Sequence, residues 1–155
     1  GRSIEYVLRL GDLGITNVEF KIIGSGSSQY LSELKSKYSH AIEKNLVRFE
    51  DEMEHENLRH AAVGSSFFLS TSSHEGFAMS VIEAMGLGLV PVIDAKGEAA
   101  KYCRDFENSL SLETFEKFYP KLTEEQFARL SAQAAKTASE YETYSKSFLG
   151  AIESI

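Results

Sequence analysis

Residues 67–93 read FFLSTSSHEGFAMSVIEAMGLGLVPVI, and this stretch decides the fold. Phe67, Phe68 and Leu69 form a short apolar run, expected to be a strand buried on both faces. A polar loop follows over 70–76. Apolar residues then return at helical spacing, so a helix is expected over about 78–85. Gly86 and Gly88 mark a turn, and 89–93 reads as a further buried strand. Glu83 is the only charge between Gly76 and Ile93, which raises the question of a membrane span. Gly86, Gly88 and Pro91 interrupt the run, as suits a buried helix, a turn and a buried strand instead.

The same alternation extends outward. Upstream, Val18, Phe20 and Ile22 alternate with Glu19 and Lys21, so 18–23 is a strand, closed by the loop from Gly24 to Ser28. Tyr30, Leu31, Leu34 and Tyr38 predict a helix over 29–38. Residues 46–49 make a second strand, ended by the acidic run 50–54, and a helix covers 56–63. The opening is unusual: Ile4, Val7, Leu8 and Leu10 fit a helix with no strand before it. Downstream of Asp94 the pattern turns helical. Thr123 and Gln126 have capping-box spacing, and Phe127, Leu130, Ala134 and Ala138 mark one face of a long helix. A separate last helix is expected over 141–155. Repeated strand–helix units with apolar strands imply α/β architecture, a Rossmann-like parallel sheet flanked by helices.

Composition bounds the class. At 155 residues the chain fits one domain, or one lobe of a larger protein. Its 43% hydrophobic content supports a core, and the 25% of charged residues argues against wholesale disorder. The net charge of -7 argues against a nucleic-acid partner, which needs a basic face. Cys103 is the single cysteine and cannot form an internal disulfide, so a reduced compartment such as the cytoplasm is the simplest reading. The first residues carry no signal-peptide pattern.

In open parallel sheets, ligands bind beyond the carboxyl ends of the strands. Four loops meet that description: 24–28, 50–54, 70–76 and 94–97. The third is the most suggestive, being rich in hydroxyls and leading into a helix whose unpaired N–H groups suit a phosphate. Gly76 lets backbone approach an anion closely. Glu83, on the apolar helix, has two readings. Either a ligand's hydroxyls satisfy its carboxylate, or it stands on the one polar side with Ser80 and faces solvent.

Other signals are weak. His55 and His60 imitate a zinc-protease pair but are five apart, which points them about 140° from each other on a helix. Gly24-Ser25-Gly26 lacks the third glycine of a dinucleotide fingerprint, since Gln29 stands there, and lacks a Walker lysine. A plain turn is the competing reading. His74 is a loop histidine without a defined role, and Cys103 a small, partly buried residue. No acidic metal cluster is convincing, and no cofactor or metal is expected.

The string from Ser72 to Ile93 resembles the signature of family 4 (group 1) retaining glycosyltransferases. Its core is the glutamate pair Glu75 and Glu83, followed by Ala84-Met85, a glycine and Pro91-Val92. Residues 20–27 resemble that family's second strand and glycine loop, and 46–49 the strand before its base-contacting loop. The resemblance implies the donor-binding C-terminal lobe of a GT-B enzyme of hexosyltransferase type, spanning 1–155. Its last helices, about 123–155, would pack on that lobe. It implies transfer of a sugar from a nucleoside diphosphate sugar with retained configuration, in glycan or polysaccharide assembly. Glu75 would act at the donor sugar as the catalytic position, and Glu83 would bind the ribose hydroxyls. Backbone N–H groups of Gly76, Phe77, Ala78 and Met79 would hold the diphosphate or sugar. Phe49 and Asp51 would lie beside the base, and Gly24 and Ser25 would shape the floor.

The family's first strand and the arginine and lysine after it would precede Gly1. Arg2 is not expected to replace that pair. The acceptor lobe is also absent, so the glycan or lipid-linked acceptor, and any peripheral membrane attachment, would come through it. The chain alone is expected to be inactive. Two other readings stay open: a noncatalytic binding or assembly module of GT-B-like fold, and a GT-B nucleotide-sugar epimerase.

Overall fold

A computed structural model describes the backbone of residues 2–24, 26–71, 79–94 and 96–153, and the side chains of these except 55, 56, 97, 98 and 142–153. The chain divides into two compact units, Gly1–Val63 and Gly64–Ile155.

Unit 1 opens with helix α1 (Arg2–Asp12), which buries Ile4, Tyr6, Val7 and Leu10. Strand β1 (Phe20–Ile23) follows, then helix α2 (Ser28–Lys37), short helix α3 (Ser39–Glu43), strand β2 (Val47–Glu50) and helix α4 (His55–Ala62). The two strands are parallel, with Phe20 opposite Val47 and Ile22 opposite Phe49. The β1-to-β2 crossover through α2 and α3 is the strand–helix–strand unit expected from the sequence. Helix α3 was not expected. Five residues are too few to show a period, and α3 is held by the buried Ala41 instead. Helix α2 has no fully buried residue. Its inner side faces a hollow rather than a closed core.

Unit 2 contains strand β3 (Phe67–Ser70), helix α5 (Met79–Gly86), strand β4 (Val90–Ile93), a 3-10 turn at Gly97–Lys101, helix α6 (Leu112–Phe118), a second 3-10 turn at Tyr119–Lys121, and helix α7 (Glu124–Glu153). Strands β3 and β4 are parallel, with Phe67 opposite Val90 and Ser70 opposite Ile93. Pro91 is tolerated in mid-strand because its side of β4 faces away from β3. The Val90 N–H donates to Ser66 O at 3.0 Å, whereas Pro91 O accepts from Leu110 N–H at 2.8 Å, on the opposite edge. All four residues of β4 are buried.

The expectation for β3 is corrected by its burial: Phe67, Phe68 and Leu69 are half-buried, and only Ser70 is buried. Both sides are covered, one by aromatic rings and the other by the main apolar cluster. Phe67 makes edge contacts with Phe115, Tyr119 and Phe127 at centroid distances of 5.1, 5.9 and 5.4 Å. Phe68 packs against the main cluster of Val81, Ile82, Met85, Ile93, Ala99, Cys103, Ala134 and Ala138.

Helix α5 lies against α7, where Ala134 and Ala138 are small enough to let the two backbones approach. The expected capping box starts α7. Gln126 N–H donates to Thr123 Oγ1 at 3.2 Å, and Thr123 N–H to Gln126 Oε1 at 3.0 Å. The expected break before residue 141 is absent: α7 is one helix of 30 residues. No proline lies within it, and Gly150 alone costs a helix only about 1 kcal/mol. Asn108, buried, ties the preceding turn to α7. Its Nδ2 donates to Tyr102 O and Thr137 Oγ1, and its Oδ1 accepts from Arg104 N–H. Among the described residues no helix is long and apolar enough to cross a membrane.

Candidate functional site

In unit 1, three sequence-predicted residues come together. Gly24, Phe49 and Asp51 line one hollow of about 290 Å³ at the carboxyl ends of β1 and β2. Gly24 has φ 157°, a region that is essentially glycine's own, and its N–H donates to Glu50 O at 3.3 Å. This bond extends the β1–β2 pairing by one step, so Phe49 and Asp51 emerge beside the glycine loop. Phe49 is half-buried and Asp51 exposed.

The same hollow is lined by residues the sequence reading did not assign: Tyr30, Leu34 and Lys35 of α2. Arg2 lines it too. The signal available was the helical spacing of Tyr30, Leu31 and Leu34, which reads equally well as an ordinary core face. The loop before α2 does more than turn the chain. Ser27 Oγ accepts from Tyr30 N–H at 3.2 Å and caps the helix.

In unit 2, Met79 and Glu83 both lie on the exposed side of α5, one turn apart, while Val81, Ile82, Ala84 and Met85 are buried. Glu83 is thus exposed, on the same side of α5 as Ser80. Gly88, with φ 80°, ends the helix in a Schellman motif. Leu89 N–H donates to Ala84 O at 3.0 Å, and Gly88 N–H to Met85 O at 2.9 Å. The Gly88 carbonyl then accepts from Ser131 Oγ at 2.6 Å, which fixes the end of α5 to α7.

Glu75, Gly76, Phe77, Ala78 and Ser25 lie outside the described residues, as does His74. Asp94, in the fourth candidate loop, has a structural partner: its Oδ1 accepts from Leu112 N–H at 3.3 Å at the start of α6. His60 is exposed on α4, as expected. Cys103 is more buried than expected. Burial pushes its thiol up to about 11, against smaller opposing effects of a hydrogen bond to Ser109 and the charge of Arg104. Among the described residues no group of His, Cys, Asp and Glu is placed to hold a metal ion.

Parallel strands joined by helices, with a glycine loop and an acidic loop at their carboxyl ends, define an α/β domain of the kind found in GT-B glycosyltransferases. Residues 4–145 match the family model of glycosyl transferases group 1, and the chain belongs to that family. No curated protein matches it in sequence. In fold it is similar to the pneumococcal O-GlcNAc transferase GtfA, solved with UDP and GlcNAc. There the TM-score is 0.70 at 17% identity, covering 93% of this chain and 31% of the other. It is similar to HepE of Anabaena, solved with UDP and glucose, with a TM-score of 0.74 at 16% identity, covering 97% and 44%. Sucrose-phosphate synthase of Thermosynechococcus elongatus gives a TM-score of 0.66 at 16% identity, covering 94% and 42%. The chain thus spans less than half the length of each of these proteins.

Proposed function

We propose that the chain is the donor-binding C-terminal domain of a family 4, retaining glycosyltransferase. It binds a nucleoside diphosphate sugar, whose sugar passes to a glycan or lipid-linked acceptor held by an N-terminal domain. The observation that carries this reading is the gathering of Gly24, Phe49 and Asp51 around one hollow in a chain of this family. The resemblance puts Phe49 and Asp51 beside the base and has Gly24 shape the floor.

Roles follow from the chemistry. As the glycosidic bond breaks, the leaving nucleoside diphosphate gains negative charge. Donors already aimed at it stabilise the transition state, because they need no reorganisation when the charge develops. Backbone N–H groups of residues 76–79 are assigned that task, and no metal ion is needed. Glu75 is assigned to the donor sugar. Glu83 accepts hydrogen bonds from the ribose hydroxyls, and its exposed position on α5 supports this by leaving it open to a ligand.

The test is calorimetric titration of the full-length protein with UDP, GDP and ADP, beside Glu83→Ala. Saturable binding of one nucleotide is expected. Loss of hydrogen bonds to a charged group, worth about 1.5–3 kcal/mol, predicts weakening by about tenfold or more in the variant. Binding unchanged by Glu83→Ala removes the ribose assignment. The anomeric configuration of the product, read by NMR, tests retention, and an inverted product refutes it.

A further inference from the structure

The hollow of unit 1 combines flat apolar walls with two carboxylates, Glu50 and Asp51. Ile22, Leu31 and Leu34 and the rings of Tyr30 and Phe49 line it, together with the Asp51 carboxylate. The neighbouring Glu50 has its charge taken by Arg48, whose Nη2 lies 2.9 Å from Glu50 Oε1. Asp51 has no ion-pair partner among the described residues. A phosphate at that carboxylate would be repelled. A flat, uncharged heteroaromatic ring with N–H groups on its edge suits both features, since it stacks on rings and donates to a carboxylate.

The inference rests on the donor-binding reading above. We propose that this hollow selects guanine, with Asp51 accepting from its N1–H and N2–H together and Tyr30 packing on its face. Guanine presents two adjacent N–H donors on one edge, the arrangement a carboxylate accepts as a pair. Uracil's single N3–H lies between two carbonyl oxygens, which meet the carboxylate with like partial charge. Adenine and cytosine offer one amino donor beside a ring-nitrogen acceptor, so half of the pair is lost.

Tyr30 is set in place by the loop before it. A Cβ at Gly26 would lie 3.1 Å from Tyr30 Cδ1, so the ring rests directly on the glycine backbone, and Ser27 holds the Tyr30 N–H. Tyr30 is still 52% exposed, which leaves it open to a ligand. Arg2 and Lys35 also line the hollow and bring positive charge for the phosphates attached through the ribose.

The experiment is titration of the full-length protein and its Asp51→Asn variant with GDP, inosine diphosphate, UDP and ADP. Asp51 is exposed, so the variant retains the fold. GDP is expected to bind about tenfold or more tighter than UDP or ADP, the scale of one paired base contact. Inosine diphosphate, which lacks the N2 amino group, falls between. Asp51→Asn removes the advantage of GDP, weakening GDP while UDP binds no more weakly than before, since the carboxylate's repulsion of the uracil carbonyls is relieved. UDP or ADP binding as tightly as GDP, or a GDP preference that survives Asp51→Asn, overturns the base assignment and leaves the donor reading standing. If the wild-type protein binds none of the four, the donor reading fails and the base assignment goes with it.

Discussion

Two glycines two residues apart should respond to alanine with opposite sign. Gly88 sits at φ 80°, where an L side chain costs about 1–2 kcal/mol. A Cβ there would also lie 3.3 Å from Ser131 Oγ, the hydroxyl that donates to Gly88 O at 2.6 Å. Displacing it forfeits a bond worth about 0.5–1.5 kcal/mol net. Gly88→Ala should therefore destabilise by about 2–3 kcal/mol. Gly86 is the last residue of α5, and its added Cβ would meet only Ala138 Cβ at 3.8 Å, an ordinary contact. Gly86→Ala should stabilise by about 0.5–1 kcal/mol through helix propensity and the smaller entropy of the unfolded chain. Urea denaturation followed by circular dichroism reads both, as midpoint shifts in opposite directions. A Gly88→Ala variant within about 0.5 kcal/mol of wild type would refute the strained-backbone account. Equal losses in both variants would refute it too, because glycine content rather than backbone sign would then be the cause.

Three further outcomes are expected. Tyr30→Ala should weaken every nucleoside diphosphate alike, by about tenfold, since stacking is indifferent to base identity, and calorimetry reads whether the loss is uniform. The Cys103 thiol, pushed to about 11 by burial, should resist a thiol reagent at mildly alkaline pH in the native protein and react on unfolding. Because its folded value lies above the unfolded one, its contribution to stability is complete below about pH 9 and is lost as pH rises towards 11. Cys103→Ala should flatten that part of the denaturation profile. Thr123→Ala should cost about 1 kcal/mol by removing one arm of the capping box, while Thr123→Ser retains most of it, as thermal melts would show.

What was legible in the sequence, and what was not, follows from where the information resides. The strand–helix order was legible because β1, β2, α5 and β4 each carry a local pattern that agrees with their burial. Thr123 and Gln126 were legible for the same reason: both partners of the cap lie within one turn. Helix α3 and helix α6, of five and seven residues, were not, since neither is long enough to display a period. The half-exposure of β3 depended on Phe115, Tyr119 and Phe127, distant in sequence, whose rings cover Phe67 at its edges.

The candidate site divides along the same line. Gly24, Phe49 and Asp51 stand at the ends of legible strands, so topology alone sent them to one hollow. Tyr30, Leu34 and Lys35 belong to the opposite wall, and whether a helix face meets a core or a cavity is set by tertiary packing. The exposed side of α5 was readable in principle. Met79, Ser80, Glu83 and Leu87 recur at helical spacing opposite the buried Val81, Ile82 and Met85. An apolar helix that keeps its one carboxylate on the exposed side avoids the cost of burying that charge and leaves it accessible to a ligand's hydroxyls, as a ribose-binding role requires.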